Sequence, residues 1–420
     1  MSAPTDRAGF RRDVRVIADI RIIGLVGAAH FFSHFFQLTL PPLFPLLKEV
    51  WGVPYVALGL AMSVFYGASG IGQTVSGFLV DRVGAHRVLL GGMALFSASI
   101  ALAGLVPSYW LLLPVALLAG LGNSVFHPAD YSILNASVDP RRIGRGYSVH
   151  SISGNLGWAV APTVVVGLTA HFGWRAALTA VGAAGLVVVS VLATQLRASV
   201  GGRRAEQPRS TTRRDVRLLL TAPILSAFAY FAFIATALIG VQTFGVTTLM
   251  RIYDTPLGLA TGALTAFLVG GAGGILAGGL LADRTRRHDI VAVAGLVVAA
   301  GFMMLLATGA LTPALLPVVL GLTGFCHGAT GPSRDMLVRA ATPPGASGKV
   351  FGFVYSGLDL GSCLTPLAFG WLLDHGDPRM LFVAVAILML CTIGTVVQVR
   401  RTTQPAPGSG LTFRHSPRGR

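Results

Sequence analysis

Long apolar stretches follow one another along this chain from Ile22 to about Val396, and only short polar segments interrupt them. A helix needs roughly 20 mainly apolar residues to cross a bilayer, and each of these stretches is long enough. The composition agrees, because 53% of the residues are hydrophobic, only 11% are charged, and the mean hydropathy is +0.70. Such a chain is too apolar for a water-soluble protein. The sequence therefore predicts an all-α membrane protein with twelve transmembrane helices.

The apolar stretches divide into two sets of six predicted spans. The first set covers residues of about 22–47, 55–80, 88–107, 111–136, 146–170 and 175–196, and the second about 218–249, 256–282, 289–309, 313–338, 349–373 and 379–399. The longest polar interruption separates the sets, and its basic residues can neither bury themselves nor cross the membrane. The predicted order is a tail (1–21), an N-terminal half (22–196), a linker (197–217), a C-terminal half (218–400) and a second tail (401–420).

The position of the basic residues decides what the formal net charge of +16 means. All but four of the 32 Lys and Arg residues fall in the tails, the linker and the loops on the same side; the exceptions are Lys48, Arg175, Arg251 and Arg379. This is the positive-inside pattern, so both termini are expected in the cytoplasm and no nucleic-acid partner is expected. Arg greatly outnumbers Lys, as is typical of GC-rich bacterial genomes, so a bacterial inner membrane is expected.

The two halves repeat each other in sequence. The segment before and after Asp81, GFLVDRVGAHR, is echoed by GLLADRTRRHD at Asp283, 202 positions later. In the fifth span a glycine, Gly157, precedes Pro162 by five positions, and Gly361 precedes Pro366 by the same five in the eleventh. A parallel repeat of two six-helix halves predicts a binding site between them, near the middle of the bilayer.

These residues resemble those of a known family. The pattern at Gly77, Leu79, Asp81, Arg82 and Gly84 is similar to the signature loop of the major facilitator superfamily, and the segment Gly120–Ser132, GLGNSVFHPADYS, resembles the fosmidomycin-resistance type of drug exporter. The resemblance implies the twelve-helix fold of that superfamily. It also implies that Gly77, Asp81, Arg82 and Gly84 close a cytoplasmic gate. The copy at Asp283 and Arg284 has Arg286 where the second glycine belongs, so it is a weaker candidate for the same role.

Acidic residues inside apolar runs are candidates for proton coupling. Asp130, Asp335 and Asp359 lie in such runs, and a charge at the bilayer centre costs about 2.5 to 3.5 kcal/mol on insertion scales. His127 lies three residues before Asp130, on the same helix face, with Pro128 loosening the backbone between them. A carboxylate beside an imidazole can exchange a proton near neutral pH, so this pair is the first candidate. The alternative is that the two residues only tie their helix to a neighbour.

Other polar residues are expected to line the substrate cavity. His30, His34 and Gln37 form one stripe on the first span, and Tyr355 and Asp359 form another on the eleventh. The repeat places Asn155 opposite Asp359, and the remaining candidates are His150, His327 and Arg334. Two histidines on the first span could suggest a metal, but no carboxylate or Cys accompanies them there, so neither a metal nor a cofactor is expected. Helix contacts are again the alternative role.

The expected function is secondary transport. The sequence has no nucleotide-binding loop and no catalytic constellation, so it predicts neither an ATPase nor an enzyme. The leading hypothesis is a monomer, surrounded by lipid, that exports a small organic compound in exchange for protons. The alternatives are proton-coupled uptake of a small organic anion, favoured by the histidines and Arg334, and a transporter-like membrane sensor.

Overall fold

The computed structural model describes residues 5–199, 217–285, 287–341 and 347–403, and these residues are almost entirely helical. Its helices are α1 Thr5–Gln37, α2 Phe44–Trp51, α3 Tyr55–Val83, α4 Ala85–Ala103, α5 Tyr109–Asn123, α6 Phe126–Ser137, α7 Ile143–Ser199, α8 Ala222–Tyr253, α9 Leu257–Arg284, α10 His288–Ala307, α11 Leu316–Ala341, α12 Ser347–His375 and α13 Arg379–Thr403. Short 3₁₀ turns, Pro41–Leu43 and Pro313–Leu315, precede α2 and α11.

These helices make twelve membrane spans. Ten described segments are long and apolar enough to cross a bilayer, and one of them, Ile143–Leu196, has 54 residues. At about 1.5 Å per residue that segment is far longer than a bilayer core of about 30 Å. It bends at Gly173, where φ is 79°, and therefore contributes two spans. Helix α12, with 29 residues, is also long enough to cross the bilayer and is taken as the twelfth span, so the predicted fold class is confirmed.

The first predicted span, 22–47, has different limits in the structure. Helix α1 ends at Gln37, and a turn containing Pro41 and Pro42 leads into the short helix α2. Proline lacks an N–H and blocks a continuous helix, which explains the break. At the other end α1 begins at Thr5, inside the predicted tail, because no proline separates the tail from the span. Most of the linker (200–216) and of the second tail (404–420) lies outside the described residues.

The sequence repeat is also a repeat of packing. Gly157 of α7 lies so close to α1 that a methyl group there would overlap the Phe31 carbonyl oxygen. Gly361 of α12 takes the matching place against α8, where a methyl carbon would lie 2.6 Å from the Ala232 carbonyl oxygen. Glycine therefore permits the same close helix crossing in each half.

The four basic residues that depart from the charge pattern meet at one end of the bundle. Lys48 lies 3.7 Å from Asp374, and Arg251 donates to the Leu373 carbonyl at 2.7 Å. Arg175 donates to the Val106 carbonyl, and Arg379 lies beside Gly309. We name this the opposite end, and the end carrying Arg82, Arg142 and Arg284 the basic end.

Helices α3 and α12 hold the two halves together at the opposite end, and their described contacts become less close toward the basic end. At Gly59, near the opposite end, a methyl group would overlap the Pro366 carbonyl oxygen. Farther along α3, a methyl carbon at Gly67 or Gly70 would lie at an ordinary 3.4 Å from α12. At Gly77, by contrast, a methyl group would have no described atom within 4 Å. Among the described residues, contact between α3 and α12 is therefore tight at the opposite end and looser toward the basic end. We name the space beside this looser stretch the gap.

Candidate functional site

A buried carboxylate lies at the centre of the N-terminal half. Asp130 of α6 has no solvent exposure, and its Oδ2 lies 3.1 Å from His150 Nε2 of α7 and 3.3 Å from His30 Nδ1 of α1. The two histidines are themselves only 2% and 3% exposed. A carboxylate buried at this depth requires such partners, since an unpaired charge would be very costly there. Three helices thus converge on one acidic group.

The predicted partner of Asp130, His127, is near the carboxylate but does not bind it. Residues three apart on a helix diverge by about 60°, so Asp130 points into the half while His127 stays exposed. His127 Nδ1 instead lies 3.0 Å from Gln73 Oε1 of α3. Gln73 follows Gly70, which faces Asp359 of the other half, so His127 borders the gap between the halves.

The histidines form a continuous cluster with Asp130. The His30 and His150 rings stack with centroids 3.5 Å apart, and the His30 centroid lies 4.4 Å from that of His34 and 5.4 Å from that of His127. We name His30, His34, His127, Asp130 and His150 the Asp130 cluster. It connects a side chain exposed at the gap with a fully buried carboxylate.

The Asp130 cluster has spare hydrogen-bonding capacity. Among the described residues, Asp130 Oδ1, His30 Nδ1 and His34 Nδ1 are buried without a hydrogen-bond partner. His30 Nδ1 therefore approaches Asp130 Oδ2 outside hydrogen-bond geometry. Each unsatisfied buried polar atom costs about 1 to 3 kcal/mol, so the arrangement favours a change of protonation or a small ring rotation that completes these bonds.

The donor atoms of this cluster are also spaced closely enough to consider a metal ion. Those of His30, Asp130 and His150 lie within 4.8 Å of one another, as do those of His30, His34 and His127. A shared ion would have to lie in the planes of both imidazoles, about 2.0–2.1 Å from each nitrogen. The stacked His30 and His150 planes are inclined by only 23° and do not meet at that range. The arrangement of His30 and His150 around the Asp130 carboxylate therefore suits the binding of protons better than the binding of a metal ion.

Gln37 belongs to a second polar network instead of lining an open cavity. Its amide donates to Asn123 Oδ1 at 3.2 Å and accepts from Trp158 Nε1 at 3.1 Å. Asn123 also accepts from Ser33 and donates to Ser69. The sequence interpretation did not identify Asn123, although an amide inside an apolar run is a detectable signal. This network fixes α1 against α5 and α7 beside the Asp130 cluster.

The candidates in the C-terminal half are more dispersed. Asp359 is partly buried on α12, facing Gly70 across the interface between the halves. The Arg334 guanidinium lies 4.4 Å from the centroid of Phe231, and Tyr355 packs on the same ring. His327 is partly buried and lies about two turns before Arg334 on α11. The side chains of Asp335 and Asp283 lie outside the described residues.

The remaining candidates are Asn155 on α7 and the residues of the signature loop and its copy. Asn155 donates to the Ser151 carbonyl of its own helix at 2.9 Å. Asp81 and Arg82 are exposed in the last turn of α3, and Arg284 is exposed at the end of α9. Gly84 ends α3 with a φ of 98°, a conformation that explains why glycine stands there. The signature loop therefore lies at the basic end.

Comparison with known proteins places the whole chain in one family. A model of the Major Facilitator Superfamily matches residues 26–277 and 232–417. The fosmidomycin resistance protein of Escherichia coli (strain K12) is 25% identical over 391 residues, which cover 89% of this chain and 92% of that protein. The gallate transporter of Pseudomonas putida is 24% identical over 316 residues, covering 67% of this chain and 69% of that protein.

Solved structures share the fold. A bacterial homologue of the human lysosomal transporter Spinster, in an inward-facing and unoccupied conformation, aligns with a TM-score of 0.72 at 15% identity, covering 93% of this chain and 99% of that one. A variant of the nucleoside transporter NupG aligns with a TM-score of 0.72 at 15% identity, covering 91% and 98% of the two chains.

The resemblance inferred from the sequence is thus confirmed, and it extends well beyond the Gly120–Ser132 segment. The interpretation as a transporter of small solutes, and not an enzyme, is confirmed at the level of the family. Since the family model matches both halves of a chain that carries the repeat, the signature loop and twelve spans, this protein is a member of the Major Facilitator Superfamily.

Proposed function

We propose that this protein exports a small organic solute in exchange for protons. The observation that carries the proposal is the Asp130 cluster, in which a fully buried carboxylate contacts two imidazoles and lies near a third that is exposed at the gap. Imidazole and carboxylate groups can each accept and donate a proton, so their contacts give the cluster a chemical means of taking up and releasing a proton.

The proposed location is a bacterial inner membrane, with both termini in the cytoplasm and the protein acting as a monomer. The positive-inside rule supports this orientation, because the basic end is then cytoplasmic. His127 is exposed and contacts Gln73 of α3, so it is proposed to release the proton to the cytoplasm. Substrate entering the gap would bind the deprotonated state, and a proton from the other side would later displace it.

The coupling depends on linkage between two ligands. If deprotonation of the Asp130 cluster favours substrate binding, substrate must favour deprotonation to the same extent. Asp359 is the second candidate for carrying a proton, since it faces the N-terminal half across the interface. Two further residues, Asn155 and Tyr355, are proposed to line the substrate cavity. Gln37 is proposed to hold the helices that form the wall of this cavity.

The relatives support export first and uptake second. A relative whose alignment covers 89% of this chain is named for fosmidomycin resistance, a phenotype that fits export of a small organic compound. Uptake of an organic anion is the second candidate, because Arg334 and His327 supply cationic or potentially cationic groups in the C-terminal half and another relative is a gallate transporter.

The test is a growth screen followed by transport in vesicles. An efflux-deficient bacterium expressing the protein would be exposed to antibiotics, phosphonates, organic acids and metabolites. Any compound to which the protein confers resistance would then be added to inside-out membrane vesicles that contain the protein. Acidification of the vesicle lumen should drive uptake of the compound. We expect uptake to collapse when an ionophore dissipates the pH gradient.

A metal chelator separates proton coupling from metal coupling. EDTA should leave the rate unchanged, because the proposal assigns the Asp130 cluster to protons. Good membrane expression with no resistance to any compound would contradict export, and growth on single organic acids would then test uptake. Vesicle uptake that continues after the ionophore has dissipated the pH gradient would contradict proton coupling.

A further inference from the structure

The N-terminus of α3 has no cap from its own segment. The first N–H groups of a helix have no partner within it and usually bond to a side chain just before the helix. Helix α3 begins after Pro54, which makes no side-chain cap, and its first turn contains no acidic residue. The N–H groups of Tyr55 and Val56 therefore need an acceptor from elsewhere.

Asp374, at the end of α12, provides that acceptor from the other half of the protein. One carboxylate oxygen accepts from Tyr55 N–H at 2.9 Å and the other from Val56 N–H at 2.7 Å. Asp374 is only 10% exposed, and Lys48 Nζ lies 3.7 Å from it. A carboxylate at a helix N-terminus also interacts favourably with the helix dipole. The two halves are thus joined by charge-assisted hydrogen bonds at the opposite end.

We propose that Asp374 is a latch that keeps the opposite end closed and sets the balance between the two conformations of the transporter. The two N–H donors belong to the N-terminal half and the Asp374 carboxylate to the C-terminal half. Rocking the halves apart at that end must therefore break both hydrogen bonds. The proposal rests on alternating access by the family fold and is independent of which solute or ion is moved.

The same pair of helices places a second acid in the equivalent position at the basic end. Contacts of Gly59 with Pro366 and of Gly70 with Asp359 show that α3 and α12 run antiparallel in a fixed register. Extending this register places Asp81, in the last turn of α3, opposite the start of α12 at Ser347. The first turn of α12 likewise contains no acidic residue. Each helix thus has an acid near its C-terminal end and none in its first turn.

The family resemblance assigns Asp81 to a gate at the basic end, and the proposal adds Asp374 as its counterpart at the opposite end. The Asp374 cap stabilises the conformation closed at the opposite end, and Asp81 stabilises the conformation closed at the basic end. Loss of either acid should shift the population toward the conformation in which the other acid is engaged. Loss of both should bring the population back toward that of the unmodified protein.

A buried cysteine at the α3–α12 contact can report the population open at the opposite end. Ser63 is 5% exposed, and its carbonyl oxygen contacts Cys363 Sγ at 3.6 Å. The reporter is Ser63→Cys in a protein whose three cysteines, Cys326, Cys363 and Cys391, are replaced by alanine. Its rate of alkylation by a maleimide, in lipid nanodiscs without substrate, scales with the fraction of molecules open at that end.

We expect Asp374→Ala to raise the alkylation rate about tenfold or more, equivalent to about 1.4 kcal/mol. Asp374→Asn should raise it less, because one amide oxygen can still accept a hydrogen bond. Asp81→Asn should lower the rate. Asp377→Ala is the matched control: Asp377 caps Arg379 N–H at 2.8 Å within its own half, so its loss should leave the rate unchanged.

A second reporter distinguishes opening from unfolding. Ser97 is fully buried inside the N-terminal half, so Ser97→Cys reacts only if that half unfolds. If Asp374→Ala raises the alkylation rates of both Ser63→Cys and Ser97→Cys, the variant has unfolded. The alkylation rate of Ser63→Cys in the Asp374→Asn variant would then test the latch. The latch is refuted if Asp374→Ala, or Asp374→Asn where the alanine variant unfolds, reacts at Ser63→Cys no faster than Asp377→Ala. Because the assay needs no substrate or gradient, its outcome is separate from that of proton-coupled export.

Discussion

Asp130→Asn is expected to abolish the coupling of transport to the proton gradient. The amide keeps the size of the side chain and can accept from His150, but it cannot take up a proton. Coupling between two ligands of one protein is commonly worth about 5-fold to 150-fold in affinity, so gradient-driven accumulation in inside-out vesicles should fall by about tenfold or more. Exchange of labelled for unlabelled substrate without a gradient should continue, because binding and rocking of the halves do not require the proton.

The pH dependence should disappear in the same variant. In the unmodified protein, acidifying the vesicle lumen should increase uptake, since protons then enter the cluster from the lumen and leave it on the cytoplasmic side. In Asp130→Asn, the rate of substrate exchange should be nearly independent of pH between about pH 5 and pH 8, because the variant lacks the carboxylate that is proposed to bind the coupled proton.

Asp19 offers a matched control for the loss of a buried carboxylate. Asp19 is also buried, but it lies near the basic end and pairs with Arg142 Nη2 at 2.6 Å. Asp19→Asn should reduce stability while leaving the gradient dependence intact. Full gradient-driven transport in Asp130→Asn would contradict the proposed role of the cluster. Equal loss of coupling in both variants would indicate that Asp130 has only a structural role.

The sequence indicates that Asp130 is an acid inside a membrane span, but it does not indicate which side chains contact that acid. The reason is physical. An acid in an apolar run is visible in one dimension because its burial is costly wherever the helix packs. The partner of that acid depends on how α1, α6 and α7 cross, and no local pattern specifies this. His30 was therefore assigned to a cavity wall and His127 to the acid, whereas the structure brings His30 and His150 to the carboxylate.

The fold was predictable to a much greater extent than the interfaces between helices. The lengths of apolar stretches and the distribution of charge depend on the bilayer alone, so they gave the twelve spans and the expected orientation. The Asp374 cap escaped the sequence interpretation because it joins residues more than 300 positions apart. The break of the first span at Pro41 could have been expected, since two adjacent prolines interrupt it.

The C-terminal half depends on another interface that becomes evident only in three dimensions. Gly270, Gly274 and Gly278 of α9 recur every four residues, and each contacts the backbone of α11 so closely that a methyl group would overlap it. Two glycines of α11, Gly324 and Gly328, make the same kind of contact with α9. Residues four apart lie on one helix face, so these glycines form a single interlocking seam.

Gly278→Leu is therefore expected to destabilise the protein strongly. Its new side chain would meet the Ala329 carbonyl group, which is backbone and can move only if the two helices separate. Overpacking a close-packed interior commonly costs about 1 to 3 kcal/mol, and a clash between two backbones belongs at the upper end of that range. Thermal unfolding in detergent, followed by the loss of the monodisperse peak in size-exclusion chromatography, measures the effect.

Gly279→Leu, at the next position, provides the control. No described atom lies within 4 Å of a methyl group placed at Gly279, so the leucine points away from the seam. Leucine also favours a helix over glycine by roughly 0.5 to 1 kcal/mol in aqueous hosts, so this variant should be as stable as the unmodified protein or slightly more stable. Equal melting temperatures for the two variants would show that α9 and α11 do not depend on the glycine seam. A large loss confined to Gly278→Leu would show that this half is held together by backbone contact that no side chain larger than glycine permits.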